Sequence, residues 1–408
     1  MDAILAELIS PEQRDAVMAP ISQALTLPAA AYVSERWFTL EVERIFKRHW
    51  MPVMFECELP DAGDAQPFEL FDIPLLAVRG DDAKLRVFHN ICPYDGCLVQ
   101  RHPQSRLSEL EVYYHGWRYD LRGNLMAAPY WNGAPACGPA DLGGWTGDLT
   151  PVRCEVRLGA LMINLDGEAA DIDEWFAPWR AVVGDYYAVD KLVPARDAAG
   201  NVLIEKRTVA ANWKTYQENA SINLLHESFT HELYRKSPEV PRVDAEGNAR
   251  FKLWMDGALV AFGHSRGDSG ETYDPIRLPS AGHDPGEDPE YGFFTTVYPA
   301  LNVPLLDSMI KVNLILPTSA GKTELKHLRF YRPEALDCPQ FEQEEQAVQT
   351  LFDTVHYEDQ LAIEAVQRAR RSPVWQQHYY APFWDELHHR FNQLVMLDMQ
   401  VPKPRSQS

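Results

Sequence analysis

The feature that most constrains the fold is a change of texture along the chain. From about residue 37 to 130 the apolar residues come in short runs closed by turn residues. Examples are PVMFECEL, FELFDIPLLAVRG, LRVFHNIC and LEVYYHGWRYDLRGNL. Runs of that length bounded by turn signals read as strands. Between residues 341 and 371 the apolar positions instead recur at helical spacing, predicting a long helix. Residues 1–25 and 212–235 also read as helical, and VRCEVRLGALMINLDG adds a second β segment. Pro129–Thr150 is crowded with Gly and Pro and is expected to be loop. Ser265–Tyr291 is polar, long and rich in Gly and Pro, and a stretch of that kind in a compact domain is either a lid or disordered, the lid ranking first. With 408 residues the chain is too long for one ordinary domain and suggests two or three.

Charge narrows the partners. Lys plus Arg number 38 and Asp plus Glu 59, a net charge of −21. That surface argues against nucleic acid and anionic membranes. No apolar run is long enough to span a bilayer, and the N-terminus lacks the basic-then-apolar layout of a secretory signal, so a cytoplasmic location is expected. The six cysteines are scattered rather than framed in pairs, which fits free thiols in a reducing compartment.

Three side chains suit one metal ion: His226 and His231 in ENASINLLHESFTH, and Asp359 in HYEDQLAIEAVQ. Two imidazoles and one carboxylate on one face of ferrous iron leave the opposite positions open to oxygen and substrate. His226 and His231 are five apart, off a common face of a regular helix, so the helix must end or bulge between them to let them converge. The spacing alone is weak evidence, and a core histidine beside a surface histidine explains most such pairs.

The context strengthens it. Asn212-Trp213-Lys214, Glu218-Asn219, His226 and His231, then Glu358-Asp359 and Gln367, resemble the iron-site helices of the α subunits of Rieske non-haem iron oxygenases, the enzymes of aromatic ring hydroxylation. RIFKRHW, HNICPYDGC, YYHGWRYDLRGNL and MINLDG follow in that family's order, so the resemblance covers most of the chain. It implies an α+β fold: a β-rich Rieske-like domain, and a catalytic domain whose antiparallel sheet is covered by helices in the helix-grip manner. The expected boundaries are 1–37 for an N-terminal helical segment packing on the catalytic domain, 38–155 for the Rieske-like domain and 156–408 for the catalytic domain. Asn219 resembles a residue close to the iron, whereas Asn212 and Trp213 are expected to pack and orient the helix.

In that family Cys-x-His and Cys-x-x-His loops hold a two-iron, two-sulfur cluster. Here the first reads Cys92-Pro93-Tyr94 and the second Val112-Tyr113-Tyr114-His115, with the family's interval of 17 residues between Tyr94 and Val112. Two cysteines hold one iron of a Rieske centre and two histidines the other. Val112 removes a thiolate and Tyr94 an imidazole, leaving each iron one protein ligand. Valine coordinates nothing, and a phenol with a pKa of about 10 must lose a proton to bind. The expectation is that no 2Fe-2S cluster forms. A mononuclear site of Cys92, Cys97 and His115, holding zinc for example, ranks below a folded but degenerate scaffold packed around Tyr113, Trp117 and Tyr119. A third departure is Asn223, where the family has an acidic residue that bridges toward the cluster histidine of a neighbouring subunit. An amide there carries no charge to raise a histidine's basicity.

The reading that follows is an iron-bearing, cluster-deficient oxygenase subunit. Fe(II) on His226, His231 and Asp359 would use O2 to mono- or dihydroxylate an aromatic or other apolar substrate. Electrons would come from reductase or ferredoxin through an α-like partner with an intact cluster, in a hetero-oligomer that is trimeric or larger. A non-catalytic structural or regulatory subunit ranks second, and an iron enzyme independent of Rieske electrons last. His356 is three before Asp359 on one predicted helix and so is a weak candidate for supporting it. His378, His388 and His389 are expected to pack or be solvated. Phe251, Trp254, Phe293, Phe294 and Tyr298 read as strand residues, for which core packing ranks ahead of lining the pocket.

Overall fold

The computed structural model describes residues 3–220, 222–235, 242–244, 246–265 and 278–401. By contact it divides into two compact units, one of residues 48–169 and one of residues 1–47 with 170–408. The division falls at 47/48 and 169/170 rather than 37/38 and 155/156. The helix Glu35–Glu41 and the π-helical turn Val42–Phe46 pack with the C-terminal helix Glu386–Gln400, where the Arg44 guanidinium donates to the carbonyl of Met399. Strand Ala160–Asn164 is paired on both edges within the first unit's sheet.

The unit of residues 48–169 is the β-rich one. Six antiparallel strands run in the spatial order Met51–Phe55, Ala160–Asn164, Pro151–Arg157, Leu85–His89, Ile73–Arg79, Ala65–Leu70. A small sheet of Leu110–Glu111, Arg118–Tyr119 and Leu125–Ala127 carries the loop of Val112 and His115 between its first two strands. Its core gathers Phe88, Val99, Leu110, Val112, Trp117, Tyr119 and Leu125. The turn at Gly123 needs a glycine on two counts. Its φ is +85°, and a Cβ there would meet the Phe88 ring at 2.5 Å. Within Pro129–Thr150 a short 3-10 turn, Pro139–Leu142, interrupts the loop.

The second unit is built on an antiparallel sheet of eight strands. The order is Val193–Pro194, Lys322–Tyr331, Met309–Ser319, Leu301–Leu305, Tyr291–Val297, Leu259–Ser265, Lys252–Asp256, with Glu205–Val209 also paired to Lys322–Tyr331. Strand Leu301–Leu305 is buried along its whole length, which requires cover on both faces. Helix Ile172–Val183 supplies some of that cover, where Trp179 Nε1 donates to Thr295 Oγ1 at 2.9 Å. Helix Phe341–Ala369 supplies more, with Glu345, Phe352 and His356 meeting side chains of the strands Met309–Ser319 and Lys322–Tyr331. This is an α+β fold with an antiparallel sheet gripped by helices. Among the described residues no helix is long and apolar enough to cross a membrane.

Two of the predicted helices are broken. Residues 1–25 form Ala3–Leu8 and Pro11–Met18, separated because Ser10 and Gln13 cap the second helix reciprocally at 3.2 and 3.1 Å, with Pro11 at its first position. Residues 212–235 form Trp213–Ala220, Glu227–Thr230 and Glu232–Arg235. Of the expected lid, residues 266–277 lie outside the described residues; Leu278–Glu290 contain neither helix nor extended strand.

Candidate metal centre

Helix Trp213–Ala220 is the platform for the site. Asn212 starts it: its Oδ1 accepts from Lys214 N at 3.0 Å and its Nδ2 donates to the Ala320 carbonyl at 2.9 Å. Gln367, on the long helix, ties this start down by accepting from Asn212 N at 3.1 Å and from Thr215 Oγ1 at 3.0 Å. Trp213 is fully buried and donates to Glu41 at 3.0 Å, and Lys214 forms a wholly buried ion pair with the same carboxylate. Glu218 pairs with Arg370 at 2.8 Å and His388 at 3.1 Å. These bonds fix the helix on one side and leave Asn219 facing the long helix, where its Nδ2 donates to Asp359 Oδ1 at 2.9 Å.

After Ala220 the chain leaves the helix and restarts at Asn223. The Asn223 Oδ1 accepts from Leu225 N and His226 N, both at 3.2 Å, and so begins the single turn Glu227–Thr230. His226 precedes that turn and His231 ends it in extended conformation, with ψ of 125°. The helix thus stops between the two histidines, and both rings swing to the same carboxylate. His226 Nε2 lies 3.4 Å and His231 Nε2 3.6 Å from Asp359 Oδ1.

Both rings are held from behind. His226 Nδ1 bonds the Asn223 carbonyl, and His231 Nδ1 lies 2.9 Å from Glu358 Oε2. A carbonyl and a carboxylate only accept, so each Nδ1 carries a proton, and the two Nε2 atoms, which face Asp359, are the ones that can offer a lone pair to a metal. Burial opposes charge on His226, but the hydrogen bond and charge of Asp359 outweigh it and raise its pKa above the ordinary value. Among the described residues, His226, His231 and Asp359 are the one group of three or more His, Cys, Asp or Glu whose ligand atoms fall within 4.8 Å of one another. Two oriented imidazole lone pairs and one carboxylate fit a ferrous ion.

A cavity of about 150 Å³ opens beside this triad. Leu233, Phe294, Leu306, Leu351, Phe352 and Ile363 give it an apolar lining. Of the strand aromatics singled out in the sequence, Phe294 lines it, whereas Phe293 and Trp254 pack on each other at 5.3 Å and Phe251 stacks on Trp384 at 6.1 Å. His356 lines it too, but bonds Lys311 Nζ at 2.7 Å rather than Asp359. Lys311, His327, Asn302 and Asn313 also border it, and the sequence reading missed all four. The signal was the alternation in MIKVNLIL and LKHLRF, where polar residues at every second position share one face of the sheet.

The four positions aligned with cluster ligands are arranged differently. Cys92 is buried, with Sγ 3.5 Å from the Tyr119 hydroxyl. Tyr94 is stacked on Trp117 at 5.3 Å and 9°, with its edge to His115 at 4.8 Å. Val112 is wholly buried in the apolar core, and His115 Nε2 is engaged by Asp95. Burial and the neighbouring Asp95 push the Cys97 thiol up to about 12, away from the thiolate a metal needs. All six cysteines are free.

Fold and donor set together define the class: an α+β chain with a two-histidine, one-carboxylate triad beside an apolar cavity. Comparison with known proteins places it further. The chain belongs to the ring-hydroxylating alpha subunit family, whose catalytic domain matches residues 179–400; a Rieske [2Fe-2S] domain matches residues 49–137. It is 26% identical over 333 residues to the 2-aminobenzenesulfonate 2,3-dioxygenase alpha subunit of Alcaligenes sp., covering 80% of this chain and 78% of that one. It is 31% identical over 194 residues to the glycine betaine monooxygenase oxygenase subunit of Chromohalobacter salexigens, covering 48% of this chain and 40% of that one. In fold it is similar to naphthalene 1,2-dioxygenase from Rhodococcus sp. bound to indole, with a TM-score of 0.72 at 17% identity over 97% of this chain and all of the other.

Proposed function

We propose that this chain is the iron-bearing subunit of an oxygenase that hydroxylates a small aromatic or other apolar substrate with O2. It holds no 2Fe-2S cluster of its own and takes electrons from a Rieske-bearing partner subunit. The observation that carries this reading is the contrast between two sites in one chain. His226, His231 and Asp359 offer a complete donor set with ligand atoms within 4.8 Å of one another. At the cluster positions the Tyr94 ring is stacked on Trp117 and the Val112 side chain is core, so two of the four offer no ordinary cluster ligand.

The residues of the chain do the positioning. Asn219 and Glu358 fix the carboxylate and one imidazole, Asn223 fixes the other, and an apolar wall lines part of the space beside them. Ferrous iron, when bound, supplies the redox chemistry that O2 requires. By their names, the relatives act on 2-aminobenzenesulfonate and glycine betaine, both small molecules. A dry cavity of about 150 Å³ is known to accept a benzene ring, and this one has about that volume.

The test is to purify the full chain and measure iron and acid-labile sulfide. The expected result is about one iron per chain and no sulfide, with turnover absent on reductase alone and appearing when a cluster-bearing partner is added. Turnover by the isolated chain with NADH and reductase would overturn the partner requirement, and sulfide in the purified chain would overturn the missing cluster. His226→Ala should abolish turnover of the complex while leaving assembly intact, which separates this reading from a purely structural subunit.

A further inference from the structure

The apolar cavity has one polar end, and that end is buried. Lys311 is 2% exposed and His327 1% exposed, and both border the cavity with His356. Burying an ammonium is costly unless it is paired. Yet among the described residues no carboxylate lies within ion-pair distance of Lys311. Its polar contact is His356 Nε2 at 2.7 Å, and its ammonium sits 4.4 Å above the Phe352 ring. The neighbouring cations differ in this respect. Arg207 is engaged by Asp353, and Arg329 by Glu345 and Glu205.

The imidazoles around Lys311 also have atoms without partners. An ammonium only donates, so His356 Nε2 accepts from Lys311 and His356 Nδ1 carries the proton. That Nδ1–H is buried and, among the described residues, has no hydrogen-bond partner. His327 is anchored through Asn313, whose Nδ2 donates to Asn302 at 2.6 Å, so that its Oδ1 must accept from His327 Nδ1 at 2.6 Å. His327 Nε2 is then a buried acceptor without a partner among the described residues. The two rings lie stacked at 5.3 Å. Leaving such groups unsatisfied is costly, so a wall of this kind favours a polar group set against it.

We infer that the substrate carries an anionic group, a carboxylate or sulfonate, bound at this end of the cavity by the Lys311 ammonium and the His356 Nδ1–H. The ring or chain of the substrate then fills the apolar part toward His226 and His231. This deepens the oxygenase reading and rests on it for the identity of the ligand as substrate. His327 adds selectivity, since its lone pair meets a hydroxyl or amino donor beside the acid group. The anion does for Lys311 what Asp353 and Glu345 do for the neighbouring arginines.

The test is calorimetric titration at pH 6, where Lys311 is charged, of the iron-loaded full chain with benzoate, benzenesulfonate and benzamide. The first two compare carboxylate with sulfonate, and benzamide is a neutral ring of the same size. At least one acid should bind tenfold or more tighter than benzamide. Lys311→Met should remove that preference with iron content and a cooperative unfolding transition retained, Lys311→Arg should keep most of it, and His356→Gln should reduce it severalfold. Benzamide binding as tightly as both acids, or Lys311→Met retaining the preference, would overturn the inference. Repeating the titration on the iron-free chain keeps the two readings apart. An acid preference there survives a failure of the iron reading, and its absence in a chain that holds iron leaves the oxygenase reading standing.

Discussion

The carboxylate of Glu358 reaches behind the imidazole of His231, with Oε2 2.9 Å from Nδ1, while the next residue, Asp359, faces Nε2 of the same ring. Successive residues on a helix point about 100° apart, so one pair on one turn grips both sides of a histidine. The other Glu358 oxygen accepts from Glu232 N at 3.1 Å, which fixes the chain just after His231. Removing the charge behind a ligating histidine typically costs 10–100-fold in metal affinity. Glu358→Gln should therefore weaken ferrous binding by about that factor, read by competition with a chelator, and leave unfolding by denaturant almost unchanged. Unaltered affinity would show that Glu358 does not orient His231.

Restoring ligands tests the degenerate cluster site directly. Tyr94→His and Val112→Cys together return an imidazole and a thiolate to loops that keep Cys92 and His115. Each change alone completes the ligand pair of one iron and leaves the other iron with a single protein ligand. The double variant should take up sulfide on reconstitution and gain the visible absorption of an iron–sulfur protein, while each single variant and the natural chain should not. Uptake by the natural chain would sink the proposal.

Much of this was legible in the sequence because the signals were local. The long helix announced itself by periodicity and was found at Phe341–Ala369, and the histidine spacing demanded a helix break that the structure supplies. The earlier break in the helical stretch 212–235 is not legible, because Asn223 caps a new turn with its own side chain, a competition that periodicity does not register. Lys311, Asn313 and His327 were missed for a different reason. Polar residues alternating along a strand look like a solvated face, and only the long helix laid over them turns that face into a cavity wall.

Lys311 also gives the stability a pH dependence. Burial, helped by the charges of Arg329 and Arg207, lowers its pKa from the ordinary 10.5 to about 7 against the pull of Glu205 and Asp359. His327 and His356, held well below 6.5 by burial and by Lys311, do not titrate in that window. Between about 7 and 10.5 the unfolded chain therefore binds a proton on Lys311 that the folded protein does not. Stability from this group rises with pH across that range. Lys311→Met should be more stable than the natural chain at pH 6, and its advantage should shrink steadily toward pH 10 in urea unfolding. A gap independent of pH would mean that Lys311 keeps its ordinary pKa.

Glu218 works in the opposite sense. Burial opposes its ionisation, but Arg370 and His388 outweigh that and hold its pKa at about 2, against 4.5 ordinarily. Its contribution is complete above 4.5 and is lost as pH falls toward 2. Removing one member of a buried pair strands the other, at a cost of about 3–5 kcal/mol. Arg370 would keep Thr215 Oγ1 at 2.6 Å and the Tyr32 ring at 3.6 Å, which do not neutralise it. Glu218→Ala should thus lower stability by about 3–5 kcal/mol at pH 7, and the difference from the natural chain should narrow by pH 3. Because Glu218 anchors the helix that carries Asn219, the variant should also lose ferrous affinity at temperatures where it is still folded. An equal loss of stability at both pH values would assign the effect to packing rather than to the ion pair.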